Sequence, residues 1–147
     1  TWLGTNSRLD ELQAAFLSRK LTRLDEDNER RRVIARCYTE NLRKDRFALP
    51  YSDAQLIGED HVFHIFPLRS PQRTELQGRL SQAGIETLIH YPVPVHWQKC
   101  FFGRIPANLH FEQAEAWAAE ELSLPISPVM GANEAELVVQ TLNQLEL

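Results

Sequence analysis

Gly4-Thr5-Asn6-Ser7-Arg8-Leu9-Asp10-Glu11-Leu12-Gln13-Ala14-Ala15 reads as a loop that turns directly into a helix. Ser7 and Asp10 make a capping-box-like start, and Glu11 adds negative charge to the first turn, where it complements the helix dipole. Outward from there, Leu9, Leu12, Phe16, Leu17, Leu21 and Leu24 recur at helical spacing. The stripe resumes at Val33, Ile34, Cys37, Tyr38 and Leu42,. Between the two halves lies the charged stretch Asp25 to Arg32, where the helix is either exposed or bent. Residues 7 to about 45 are therefore predicted as one long helix or two nearly continuous ones. Unbroken, it would run roughly 55 Å at 1.5 Å per residue. That exceeds the diameter of a domain this size, so part of it is expected to pack on something outside this chain.

Leu49-Pro50 ends the helical region, and 51–60 reads as a polar loop. His61 to Leu68 reads as a strand. Ser70-Pro71 opens a helix, as N-cap and first helical residue, and Gly84 closes it. Ile85 to Tyr91 is a second strand. A proline- and aromatic-rich ordered loop, Pro92 to Pro106, precedes a third helix over Leu109–Leu122. Leu124-Pro125-Ile126 is predicted as a short edge strand because of its proline. A last helix over Asn133–Leu145 has Asn133 as N-cap, with Glu134 and Glu136 in its first turn. The order predicts an α+β fold: a small, mainly antiparallel sheet of about three strands covered by helices and preceded by a long N-terminal helix. At 147 residues the chain is one domain over 1–147,, long enough to bury a core.

A net charge of −4 argues against nucleic acid as a main partner,. The basic run Glu29-Arg30-Arg31-Arg32 follows Asp25, Glu26 and Asp27, and reads as a solvated helix face laced with ion pairs. Two cysteines do not make a disulfide framework,, so a cytoplasmic compartment is expected. Cys37 falls on a helix stripe and reads as core; Cys100, beside Trp97 and Phe101, reads as partly buried. No apolar run approaches the ~18 residues of a membrane span. The Thr1 end has neither a signal peptide nor an initiator Met, so processing or truncation is expected.

Four constellations bear on chemistry. His61 and His64 would face opposite sides of a strand, and no C-x-x-C or H-E-x-x-H accompanies them, so no metal site is predicted. There is no G-x-S-x-G nucleophile elbow. Gly4 to Ser7 leads into a helix N-terminus, whose free N–H groups suit an anion. Asn6 or Ser7 would add a donor and Arg8 a charge, although simple capping uses the same features. Finally, the strand over 85–91 delivers His90 and Tyr91 to an exit stiffened by Pro92 and Pro94, with His96, Trp97 and Gln98 following at once. Two imidazoles, a phenol, an indole and an amide suit a polar ring such as a sugar; a packed aromatic loop with surface histidines is the plainer alternative.

Five segments in order resemble the DegT/StrS-type nucleotide-sugar aminotransferases. They are Gly4-x-Asn6-x-Arg8-x-x-Glu11-x-Gln13-Ala14-Ala15, then Leu49-Pro50 with His61-Val62-Phe63-His64, then Leu76 to Ile85. Ile89 to His96 with Gln98 and Leu122-Ser123-Leu124-Pro125-Ile126 complete the set. The resemblance implies the small C-terminal domain of a fold type I aminotransferase that works as a cytoplasmic homodimer. Such an enzyme moves an amino group from an amino acid, usually glutamate, to a keto-sugar nucleotide in amino-sugar and polysaccharide biosynthesis, with pyridoxal phosphate as electron sink. It also implies that Asn6 reaches the cofactor phosphate of the neighbouring subunit, with Arg8 in support, and that His90, Tyr91, His96 and Gln98 bind substrate. The larger domain with the Schiff-base lysine is absent from these 147 residues. Lys20, Lys44 and Lys99 do not sit where burial would depress a lysine pKa for imine chemistry. No catalytic residue is assigned, and the chain alone is expected neither to transaminate nor to retain the cofactor. Two alternatives stand beside this reading: a catalytically inactive remnant serving protein association, and a fragment of a related sugar dehydratase whose lysine is replaced.

Overall fold

The structure is a computed structural model that describes residues 7–49, 60–106 and 108–145. Helix α1 spans Glu11–Leu21 and α2 spans Leu24–Asn41, so the long helical region is two helices with a break at Thr22-Arg23. The Thr22 hydroxyl bonds back to the Arg19 carbonyl at 2.8 Å, and the Arg23 N–H bonds to the Lys20 carbonyl at 3.0 Å. The start of α1 also differs from expectation: Asp10, not Ser7, is the N-cap, its Oδ1 accepting the Leu12 N–H at 2.9 Å.

The sheet consists of β1 (Phe66–Arg69) and β2 (Glu121–Leu124), antiparallel, with Phe66 opposite Leu124 and Arg69 opposite Glu121. Single bridges extend it on both sides, Ala48 to Arg69 and Leu88 to Ser123. The α+β class with a small antiparallel sheet is thus found, but three strand expectations need correction. His61 to Ile65 lies outside the ladder, because Phe63 has φ 47°, which no strand accommodates. The strand expected over 85–91 is reduced to one bridge at Leu88. The segment 124–126 is not an edge strand: the pairing begins earlier, at Glu121, and β2 is flanked on both sides. The edge-type proline is instead Pro67. Its missing donor lies on the outer side of β1, where only the Ala48 bridge forms.

Helix α3 (Arg73–Gln82) lies against β2. Its N-terminus is one turn element later than Ser70-Pro71: the Ser70 hydroxyl accepts the Gln72 N–H at 3.2 Å. It ends at Gly84, φ 78°. The Ile85 N–H reaches Leu80 and the Gly84 N–H reaches Ser81, which is the Schellman arrangement. Two short 3₁₀ turns follow at Val95–Trp97 and Lys99–Phe101. Helix α4 (Glu112–Glu120) then runs straight into β2, so Glu121 and Leu122 are strand rather than helix. Helix α5 (Ala132–Gln144) is capped by Gly131, not Asn133, with Glu134 Oε2 accepting the Gly131 N–H at 2.7 Å.

α2 packs on α5, and the core gathers Ile34, Tyr38, Phe63, Phe66, Leu80, Leu122 and Leu142 among others. Tyr38 meets Phe66 edge-on at 5.0 Å and donates its hydroxyl to the Pro125 carbonyl at 2.7 Å. The basic run of α2 is spent internally: Arg30 pairs with Glu26, Arg32 pairs with Glu29, and Arg31 and Arg32 donate to the carbonyls of Val62 and His61. The first apolar stripe behaves differently, because no residue of α1 is buried. Cys37 is half-buried, and burial pushes its thiol pKa up. Cys100 is exposed rather than partly buried.

Candidate functional site

The bridge between Leu88 and Ser123 is a hydrogen-bonded pair: the Ser123 N–H donates to Leu88 at 2.7 Å and the Leu88 N–H to Ser123 at 3.3 Å. Two residues further along each antiparallel segment, His90 comes opposite Glu121, where the next mutual backbone pair would fall. There the His90 N–H donates to Glu121 Oε2 at 2.6 Å; a side chain takes the place of the backbone rung. The other carboxylate oxygen, Oε1, accepts the Ser123 hydroxyl. Ser123 Oγ in turn lies 2.9 Å from His90 Nδ1. The Glu121 side chain is thereby held on both oxygens in a residue that is 0% exposed, as a buried carboxylate requires. His90 and Ser123 face an open cleft of about 740 Å³ whose wall also includes His64, Gln77, Thr87 and Ser127.

Beyond His90 the chain turns outward through a cis His90–Tyr91 peptide. Tyr91 is 70% exposed and its ring stands edge-on to His90 at 5.4 Å. His96 is a different case. Its side chain is 7% exposed and its Nε2 lies 3.0 Å from Glu115 Oε1 on α4. The same oxygen accepts the Phe111 N–H at 2.9 Å and sits 3.5 Å from His110 Nδ1. The Phe111 N–H, then the His96 ring and the charges of His110 and His96, hold the Glu115 carboxyl below its ordinary pKa against a smaller opposing effect of desolvation. His96 also packs on Trp97 and Phe111 and borders a second cleft of about 480 Å³ with Trp97, Phe101 and Phe102. Gln98 is exposed, and its carbonyl caps the second 3₁₀ turn.

The structure therefore brings His90 and Tyr91 together and sets His96 in a separate polar cluster tied to α4. Asn6 lies outside the described residues, as do Gly4, Thr5 and Pro50. Arg8 is exposed just before α1. Lys20, Lys44 and Lys99 are all exposed. Sequence reasoning missed Glu121 and Ser123 as parts of the site. A signal was present: in Glu121-Leu122-Ser123-Leu124 polar and apolar residues alternate, which places the two polar side chains on one face of a strand. The helical composition of the preceding residues concealed it.

With this geometry in place, comparison with known proteins finds the DegT/DnrJ/EryC1/StrS aminotransferase family over residues 1–143. The dTDP-3-amino-3,6-dideoxy-alpha-D-galactopyranose transaminase of Aneurinibacillus thermoaerophilus is 45% identical over 143 residues, covering 96% of this chain and 38% of that protein. The dTDP-3-amino-3,4,6-trideoxy-alpha-D-glucose transaminase of Streptomyces venezuelae is 39% identical, covering 96% of this chain and 37% of that protein. The crystal structure of S. venezuelae DesV in complex with a ketimine intermediate superposes with a TM-score of 0.86 at 39% identity, over 96% of this chain and 38% of that one. The chain thus spans less than two fifths of the length of these relatives.

Proposed function

The chain belongs to the DegT/DnrJ/EryC1/StrS aminotransferase family, and from that premise we propose that it is the C-terminal part of a pyridoxal-phosphate-dependent sugar aminotransferase. The amino donor is an amino acid, glutamate by preference, and the acceptor is a keto-sugar nucleotide. The observation that carries this reading is the likeness over 96% of the chain to a transaminase of Aneurinibacillus thermoaerophilus at 45% identity, supported by the likeness to S. venezuelae DesV in complex with a ketimine intermediate. The NtdA structure from Bacillus subtilis with bound PMP, at 29% identity and TM-score 0.81, supports the cofactor class.

The described residues do not make a complete cofactor cradle. Their three lysines are exposed, and the α1 terminus already has the Asp10 carboxylate on one of its N–H groups. The role proposed for Asn6 and Arg8, carried over from the family resemblance, is peripheral: to donate to a cofactor phosphate held chiefly elsewhere in a homodimer. Pyridoxal phosphate, when bound, supplies the electron sink for the amino transfer. This chain's own contribution is to bind and orient the sugar nucleotide: His90 and Tyr91 contact it, and His96, beside the second cleft, and the exposed Gln98 are further contacts apart from that pair.

The test is spectroscopic, on the full-length protein carrying this chain. A yellow cofactor band that bleaches with L-glutamate and returns with a keto-sugar nucleotide is the expected result. A band that ignores amino donors while the sugar loses water would move the assignment to a dehydratase. A protein that takes up no cofactor would leave association as its role.

A further inference from the structure

We infer that Glu121 and Ser123 are positioning residues that lock the tautomer of His90, so that Nε2 is kept as an unprotonated acceptor for a hydroxyl of the ligand in the cleft. The protons available to the three side chains fix the tautomer. An ionised carboxylate only accepts. Glu121 Oε2 takes the His90 N–H and Oε1 takes the Ser123 hydroxyl. The single proton of Ser123 is then committed to Glu121, so Ser123 Oγ meets His90 Nδ1, 2.9 Å away, as an acceptor. Nδ1 must carry the proton. In the neutral ring Nε2 is then the lone-pair nitrogen, and among the described residues it has no hydrogen-bond partner. His90 lines the 740 Å³ cleft, which makes that nitrogen the ring's open acceptor.

The backbone supports the lock. His90 lies cross-strand from Glu121, and Leu88 is bridged to Ser123, so the side chains at 88, 90, 121 and 123 share one face. The Glu121 carboxylate is fully buried and does not depend on solvent for its orientation. Identifying the ligand group as a sugar hydroxyl rests on the sugar-nucleotide reading above; the tautomer does not.

The experiment is 15N NMR of the full-length protein labelled at histidine, with His90 identified by its disappearance in His90→Gln. Wild type is expected to show the Nδ1–H tautomer. Glu121→Gln is expected to invert it. The amide oxygen keeps the His90 N–H and the amide nitrogen donates to Ser123 Oγ; the serine hydroxyl keeps its proton and donates a hydrogen bond to Nδ1, which becomes the acceptor, so the neutral ring carries its proton on Nε2. Ser123→Ala is expected to give a mixture, and Ser123→Thr to restore the wild-type form. Adding dTDP-glucose or UDP-N-acetylglucosamine should shift the wild-type Nε2 resonance, and Glu121→Gln should weaken that binding roughly tenfold, the scale of one mismatched polar contact. An Nε2–H ring in wild type, or an unchanged tautomer in both Glu121→Gln and Ser123→Ala, overturns the lock. Binding that leaves Nε2 unmoved overturns its role toward the sugar. A locked tautomer in a protein that binds neither sugar nucleotide counts against the sugar-nucleotide reading while the positioning assignment stands.

Discussion

Tyr38 shows how much one buried side chain decides. Its ring fills the space between α2 and β1, and its hydroxyl is the partner of the Pro125 carbonyl just past β2. Tyr38→Phe keeps the ring and orphans that carbonyl, so it should cost about 1 kcal/mol at neutral pH. Tyr38→Ala also opens a cavity and should cost about 3–5 kcal/mol; urea unfolding distinguishes the two. Burial raises the Tyr38 pKa well above its ordinary value, with smaller contributions from Cys37 and Glu134. A raised folded-state pKa means that the folded form holds its proton longer. The stability it confers is complete below the unfolded value of about 10 and is lost as pH rises beyond it. The gap between wild type and Tyr38→Phe should therefore narrow in urea titrations above about pH 10. Glu115 has the opposite sign. Its depressed pKa stabilises the fold above the unfolded glutamate value of about 4.3 and is lost as pH falls through the folded one. Fluorescence of Trp97, which packs on His96, should report an acid transition in the 95–111 segment that Glu115→Gln flattens. An identical acid profile in the variant would remove Glu115 as the tether.

Among the elements, α3 was the most legible. Leu76 and Leu80 sit one turn apart, and both are fully buried; Gly84 marks the end because the Schellman turn needs a positive φ. A Cβ at Gly84 would meet nothing within 4 Å, so the cost of Gly84→Ala is purely conformational, about 1–2 kcal/mol. Gly84→Asn should recover part of it, since Asn tolerates the left-handed region. Equal melting temperatures for all three proteins would show that the turn relaxes. The strands were less legible, for a physical reason. A four-residue strand offers two alternations at most, and its limits are set by which partner reaches it. Phe63 is apolar and buried, as a strand residue would be, yet its φ of 47° and the Phe63 N–H bonded to His61 Nδ1 at 2.9 Å keep it out of the sheet. Glu121 continues a run of helix formers, Glu115 to Glu120, and nothing local announces that the next residue enters the sheet. The candidate site has the same pattern: the elbow residues were readable from proline and aromatic content. The residues that hold His90 come from 31 and 33 positions away, and only folding makes them neighbours.

At the scale of the whole molecule, the two helical stripes of the first 42 residues have opposite fates. Ile34, Tyr38 and Leu42 enter the core, whereas Leu9, Leu12, Phe16, Leu17 and Leu21 remain exposed. The helix that carries the second set has a capped start and a hydrogen-bonded C-terminal turn, so its local structure is complete while its apolar face is not. Covering such a stripe is worth on the order of 10 kcal/mol at about 1.5–3 kcal/mol per side chain. A solvent-facing helix would not keep five large apolar residues without that gain. In the proposed enzyme the cover comes from the rest of the polypeptide or its dimer mate. The polypeptide of residues 1–147 studied alone should then cover the stripe with itself. The loss of translational and rotational freedom, about 4–15 kcal/mol, offsets most of the gain, so association is expected at about 0.1 mM rather than at nanomolar concentrations. Sedimentation velocity across that range should show a concentration-dependent dimer or larger species. Leu12→Glu with Phe16→Glu should return it to monomer without lowering the melting temperature, because neither side chain contributes to the core. If the unsubstituted polypeptide remains monomeric at millimolar concentration, the stripe is not a contact surface and the dependence of α1 on the rest of the enzyme falls with it.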